Sequence, residues 1–137
     1  GSFSVKSGFN GENAPRSVIP NITGSIKDSS NTILSENSYY IGSEAIVNSS
    51  NLSLAYPLES PGRLDMDQME DIWSYILYKE LKVLPEEHNI FHIEPVYSNI
   101  QSRMKIAEIM FESFNIFNIH IEPHGPLSLW STAKSTA

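Results

Sequence analysis

The stretch from Asn89 to Pro123 reads NIFHIEPVYSNIQSRMKIAEIMFESFNIFNIHIEP, and its reading decides the fold. Asn89-Ile90-Phe91-His92-Ile93-Glu94-Pro95 is short, rich in β-branched and aromatic residues and closed by a proline, which predicts a strand. Ser98-x-x-Gln101 has the spacing of a capping box, in which two side chains satisfy free N–H groups at a helix start. Ile106, Ile109, Met110 and Ser113/Phe114 then recur at three- and four-residue intervals and share one helix face. Ile119-His120-Ile121-Glu122-Pro123 predicts a second strand. Strand, helix and strand in this order form a βαβ unit with its strands parallel. The segment is therefore α/β. Beyond it, Pro126 suits the first position of a third helix carrying Leu127 and Trp130, because a helix start needs no N–H partner there.

Toward the N-terminus a second helix begins near Asp65. Asp67-Gln68-Met69-Glu70 offers a cap residue with a glutamate three positions later. Met69, Ile72, Trp73, Ile76, Leu77 and Leu81 form its apolar face. Lys79 and Lys82 suit the negative end of the helix dipole, and Pro85 stops any continuation.

The first twenty residues predict a β-hairpin of roughly residues 3–9 and 15–19 with an irregular tip. Phe3, Val5 and Phe9 alternate weakly, Asn10-Gly11 is a strong turn signal, and Val18-Ile19 is closed by Pro20. Between Ser25 and Ser53, thirteen of 29 residues are Ser or Asn and four are charged. Such a stretch buries little by itself, so a loop around residues 27–37 is expected, returning as a short strand at Tyr39-Tyr40-Ile41 that ends at Gly42.

Composition bounds the function. The 137 residues are 40% hydrophobic and 18% charged, enough apolar material for a core and too ordered a mix for a disordered spacer. Nine Lys and Arg against 16 Asp and Glu leave a formal net charge of −7. That balance disfavours non-specific nucleic-acid binding and polybasic membrane attachment, so neither nucleic acid nor membrane is expected as a partner. The absence of cysteine removes disulfides, thiolate zinc sites, iron–sulfur clusters and cysteine nucleophiles. No apolar run approaches the ~18 residues of a membrane span. The N-terminal residues show no basic-then-apolar signal pattern, and the three Asn-x-Ser/Thr triplets at Asn21, Asn48 and Asn51 are what abundant Asn and Ser produce by chance. An intracellular, soluble, acidic protein is expected.

Several strings, taken in order, now carry a resemblance. They are Val5-Lys6-Ser7-Gly8-Phe9 with Gly11 and Asn13-Ala14-Pro15-Arg16, then Tyr40-Ile41-Gly42-Ser43-Glu44-Ala45 and Leu52 through Glu59. Met69-Glu70-Asp71-Ile72-Trp73, Pro85-Glu86-Glu87-His88, Ile109 through Asn115 and Leu127-Ser128-Leu129 continue the series. The ordered set resembles the actin family from about residue 4 to residue 137. The resemblance implies a partial actin-like ATPase domain of ribonuclease H-like fold, an N-terminal fragment holding most of subdomains 1 and 2. Residues 1–19 and 58–137 would be partial subdomain 1, and 20–57 subdomain 2 with a mobile tip loop at about 25–40.

The same resemblance implies roles. The parent class binds ATP or ADP with magnesium between two hairpin turns whose N–H groups surround the phosphates. Lys6 would reach those phosphates, against the plain alternative of an exposed strand lysine. Gly1-Ser2 coincides with the first turn and makes Ser2 a phosphate contact, although a cleaved tag leaves the same dipeptide. The second turn belongs beyond Ala137, so the fragment alone is not expected to bind or hydrolyse ATP well, nor to hold a cofactor. His124 stands where the family has a glutamine that positions the attacking water. Slow or lost hydrolysis is the expected consequence, and a water-orienting role for the imidazole is the alternative. Trp130, Ala133 and Ser135 correspond to the groove where partners dock, with a core role open for Trp130. Ile33 and Leu34 are the apolar part of the tip loop that contacts the next subunit.

One echo is independent of any family. His92-Ile93-Glu94-Pro95 recurs as His120-Ile121-Glu122-Pro123. On adjacent parallel strands in matching register, two His and two Glu could ligate zinc. Ordinary polar positions are the expected reading, and no metal site is assigned.

The leading function is that of a cytoskeletal, cytoplasmic actin-like protein whose parent assembles with itself or with a defined complex. Its partners would be actin-like subunits or actin-binding proteins. The alternative is a nuclear actin-related scaffold of a chromatin-remodelling complex, which needs no turnover; such proteins often carry long insertions that this stretch lacks. An enzyme of the wider sugar-kinase and chaperone ATPase superfamily would share the cradle but not the Pro85–His88 and Phe111–Asn115 strings. Because a strand is expected before residue 3, open sheet edges should let the fragment dimerise.

Overall fold

In a computed structural model, the protein is described over residues 3–26, 39–59, 63–95 and 98–127. The chain divides into two compact units, Gly1–Lys82 and Val83–Ala137.

In the first unit, β1 (Ser4–Ser7) and β2 (Ser17–Pro20) pair antiparallel, with Lys6 opposite Val18. The expected hairpin is present but shorter. Asn10-Gly11 does not close it as a two-residue turn; residues 8–16 form a longer connection in which Gly11 has φ 90°. Glu12 organises that connection. Its backbone N–H donates to the Phe9 carbonyl at 3.3 Å, its carboxylate accepts from the Phe9 N–H and pairs with Arg16. The Arg16 guanidinium lies 4.6 Å from the centroid of the Phe9 ring, so a side-chain cluster replaces the tight turn.

Next, β3 (Thr23–Ile26) is the centre of a three-stranded antiparallel sheet, between β4 (Tyr39–Ile41) and β5 (Leu52–Ala55). The sequence TGSI has neither alternation nor strong strand propensity. Pairing on both edges and close packing hold it instead. Thr23 donates its hydroxyl hydrogen to Gln68 Oε1 at 2.9 Å, and a Cβ on Gly24 would come within 2.9 Å of Leu52 Cδ1. The short helix α1 (Ser43–Val47) packs against this sheet through fully buried Ala45. Gly42 makes the reversal from β4 into α1 with φ 61°, a conformation that costs a side-chain-bearing residue. A small hairpin follows, β6 (Leu58–Glu59) with β7 (Arg63–Leu64).

The helix α2 (Met66–Ser74) buries Met69, Ile72 and Trp73, and the chain continues as a π-helical segment, Tyr75–Glu80, that buries Ile76 and Leu77. The Leu81 N–H donates to the Ile76 carbonyl five residues back at 2.8 Å. The predicted apolar face is thus present, but its cap lies two residues earlier than Asp67. Asp65 Oδ1 accepts from the N–H groups of Asp67 and Gln68, while the Gln68 amide reaches back to Asp65 Oδ2 at 2.8 Å. Asp65 is therefore the cap, held by the Gln68 amide through its carboxylate, while its own backbone N–H donates to the Pro57 carbonyl at 2.7 Å rather than closing a reciprocal box. Past the helix, Lys82 adopts φ 55°, outside the last turn that the dipole argument assigned it.

The second unit is the βαβ element: β8 (Asn89–Glu94), α3 (Ile100–Glu112) and β9 (Asn118–Pro123), with β8 and β9 parallel. Ile106, Ile109, Met110 and Phe114 are buried as expected, whereas Ser113 is exposed. The cap is Asn99, not Ser98; its Oδ1 accepts from the Ser102 N–H at 2.8 Å. After β9 the chain is helical over residues 124–127, so Pro126 sits within the first turn rather than at its first position. That turn still requires no N–H partner from it. Of the tip loop expected at about 25–40, residues 27–38, with Ile33 and Leu34, lie outside the described residues, as does Trp130, while residues 25–26 and 39–40 belong to strands β3 and β4.

Candidate functional site

Lys6 belongs to the first unit. Its side chain leaves β1 on the exposed side, opposite exposed Val18, while Val5 and Ser7 on the other face are partly buried. Among the described residues no carboxylate pairs with it. A lysine not committed to an acid is able to meet a phosphate, so this position fits the group the resemblance implies. The backbone just after it is held close: a Cβ on Gly8 would lie 3.0 Å from the Arg16 nitrogen. The loop after β1 is therefore compact because position 8 lacks a side chain and because Glu12, Arg16 and Phe9 tie it together.

His124 belongs to the second unit and is exposed at the first residue of the helical turn following β9. Ser2, Ile33, Leu34, Trp130, Ala133 and Ser135 lie outside the described residues.

The repeated His-x-Glu pairs do not converge. The register sets Phe91 beside His120, His92 beside Ile121, Ile93 beside Glu122 and Glu94 beside Pro123. The sequence repeat has a spacing one residue shorter than the strand register, and one residue of offset turns every side chain to the other face. His92 and Glu94 consequently face one side of the sheet and His120 and Glu122 the other. Among the described residues no group of three or more potential ligands gathers for a metal. On the outer side, the Phe91 and His120 rings stack with centroids 5.3 Å apart, and His120 Nε2 lies 2.9 Å from Glu122 Oε1.

On the inner side, Glu94 is 2% exposed and pairs with Arg103 of α3. The Arg103 hydrogen bond holds the Glu94 carboxyl below its ordinary 4.5 against the opposing effect of burial, with Ser98 adding a second bond. Burial pushes His92 below its ordinary 6.5, and the Glu94 charge only partly offsets it. The Glu94–Arg103 pair ties α3 to β8 and is structural in character.

The chain matches the Actin family over residues 1–137. It belongs to the actin family. The α/β architecture described above, with its hairpin and parallel βαβ element, is consistent with part of the actin fold. Among the described residues no helix is long and apolar enough to cross a membrane.

A concavity in the first unit was not singled out by sequence. Tyr39 and Ile41 of β4, Glu44 of α1, and Asp71, Tyr75 and Tyr78 of α2 and its π-helical continuation line a recess of about 210 Å³. The helical signal was present: positions 71, 74, 75 and 78 repeat at three- and four-residue spacing opposite the apolar face. What sequence could not supply was the partner wall from β4 and α1.

Proposed function

We propose that this chain is the part of an actin-like cytoskeletal protein that supplies one wall of its nucleotide cleft, with Lys6 as a phosphate ligand. The observation that carries the reading is an exposed, uncommitted lysine on β1 in a chain of the actin family. A parent chain would take up ATP or ADP with magnesium and assemble with itself or with a defined complex. In that parent His124 would stand beside the attacking water, Ser2 would add a phosphate contact, and Trp130, Ala133 and Ser135 would meet partners. Ile33 and Leu34 would contact the next subunit. The cytoplasm is the expected compartment. The 137 residues alone are proposed to neither hold ATP tightly nor turn it over, because a phosphate clamp needs both of its turns.

The test is nucleotide binding. In a parent protein, Lys6→Ala should weaken ATP binding about 10- to 100-fold, the range of a charge-assisted hydrogen bond. Unchanged affinity would remove Lys6 from the site. For the 137-residue chain alone, turnover above a Lys6→Ala control would overturn the reading of a partial clamp.

A further inference from the structure

The recess between β4, α1 and α2 is built for a cation, and we propose that it docks an arginine side chain of a protein partner. Three features argue for this together. Its walls are rich in aromatic residues, with Tyr39, Tyr75 and Tyr78 lining one cavity. A guanidinium or ammonium over such a ring is attracted by the ring's negative face. The mode is already in use at the rim, where Lys79 Nζ lies 5.6 Å from the Tyr75 centroid.

Charge is the second feature. Among the described residues Glu44 and Asp71 line the recess against one cation, Lys79, so negative charge is in excess there. Partial desolvation and then Glu70, Asp67 and Asp65 push the Asp71 carboxyl up, and burial followed by Glu44 and Glu80 pushes the Tyr75 phenol up. An incoming cation offsets the part that the acidic neighbours contribute.

Size is the third. A volume of about 210 Å³ falls below the roughly 300–1,000 Å³ of pockets that enclose small-molecule ligands. It is too small for a nucleotide and sufficient for one side-chain head. Guanidinium is favoured over ammonium because it is planar, stacks on aromatic rings and sheds water more readily. A protein source is favoured because the surroundings are apolar as well as anionic. On α1, Val47 follows Glu44 by one helical step of three and is 81% exposed, and Ile46 is also exposed. Those side chains offer contact to the backbone and neighbours of an arginine in a peptide, which a free small cation lacks.

The experiment uses the 137-residue chain and a fluorescein-labelled Gly-Arg-Leu-Gly amide, with its citrulline counterpart as a neutral isostere, read by fluorescence polarisation. The arginine peptide should bind about tenfold more tightly than the citrulline peptide. Glu44→Gln and Tyr78→Leu should each weaken it about three- to tenfold, and Lys79→Met should strengthen it by removing the resident cation. Glu112→Gln, an exposed glutamate of the second unit, removes the same charge elsewhere and should change nothing. The proposal fails if the two peptides bind alike, if neither binds, or if Glu112→Gln weakens binding as much as Glu44→Gln. Binding of arginine amide as tight as that of the peptide assigns the recess to a small cation and also overturns the docking. The citrulline comparison uses the unaltered protein, so it stands even where a variant fails to fold.

Discussion

At the scale of single residues the most consequential pair is His92 and Glu94, two positions apart on the inner face of β8. Both have native pKa values below their ordinary ones, but for different reasons. Arg103 stabilises the charged form of Glu94, whereas burial disfavours the charged form of His92. The consequences for stability run in the same direction. Between its native value and 6.5, His92 binds a proton in the unfolded chain and not in the folded one. Its contribution is therefore full above pH 6.5 and lost as the pH falls through the native value. Glu94 behaves likewise below 4.5. Urea midpoints measured from about pH 8 to pH 3.5 should decline in two stages. His92→Asn should flatten the stage that starts below pH 6.5, and Glu94→Gln the stage that starts below pH 4.5. Superimposable pH profiles for wild type and His92→Asn would show that the imidazole is not held neutral by the fold.

At the scale of elements, the start of α2 decides between two caps that the sequence offers within three residues. Asp65 accepts two backbone N–H bonds and is answered by Gln68. Asp65→Ala should cost about 1 kcal/mol in urea unfolding, the usual worth of such a cap, while Asp67→Ala should cost clearly less. Equal losses would mean that the acidic cluster acts through the helix dipole alone. This position also shows where sequence reading works and where it stops. The apolar faces of α2 and α3 were legible because their burial follows a period that side-chain geometry imposes. The strands β8 and β9 and the hairpin were legible from composition and punctuation. The caps were misplaced by one or two residues because Asp, Ser and Asn crowd both helix starts and any of them can cap. Strands β3 and β5 and helix α1 went unseen for a different reason. Thr23–Ile26 has no local preference for a strand and gains one only between β4 and β5, and the reversal into α1 depends on the positive φ of Gly42. Lys6 was found through the ordered strings of a family, not through its own chemistry. The recess was missed because part of its wall comes from β4 and α1, far from α2 in sequence.

At the scale of the whole molecule, two opposing terms govern self-association. Among the described residues the pairs β1–β2 and β8–β9 each lack a third strand, so each presents unpaired N–H and C=O groups along its edges. Exposed Phe91 and Ile93 add apolar surface on the outer face of β8. Pairing of such edges acts at contact distance and draws chains together. The formal net charge of −7 acts over a longer range, about 10 Å at 0.1 M salt, and holds copies apart. Salt therefore separates the two terms, since it screens the repulsion and leaves edge pairing in place. Light scattering should show a mass rising from monomer toward dimer with protein concentration, and rising further between about 0.05 and 0.5 M salt. Peptide binding in the tyrosine-lined recess should weaken over the same range, because attraction between opposite charges is what salt screens there. A mass that stays monomeric at every concentration and both salt levels would show that these edges are already covered within the chain.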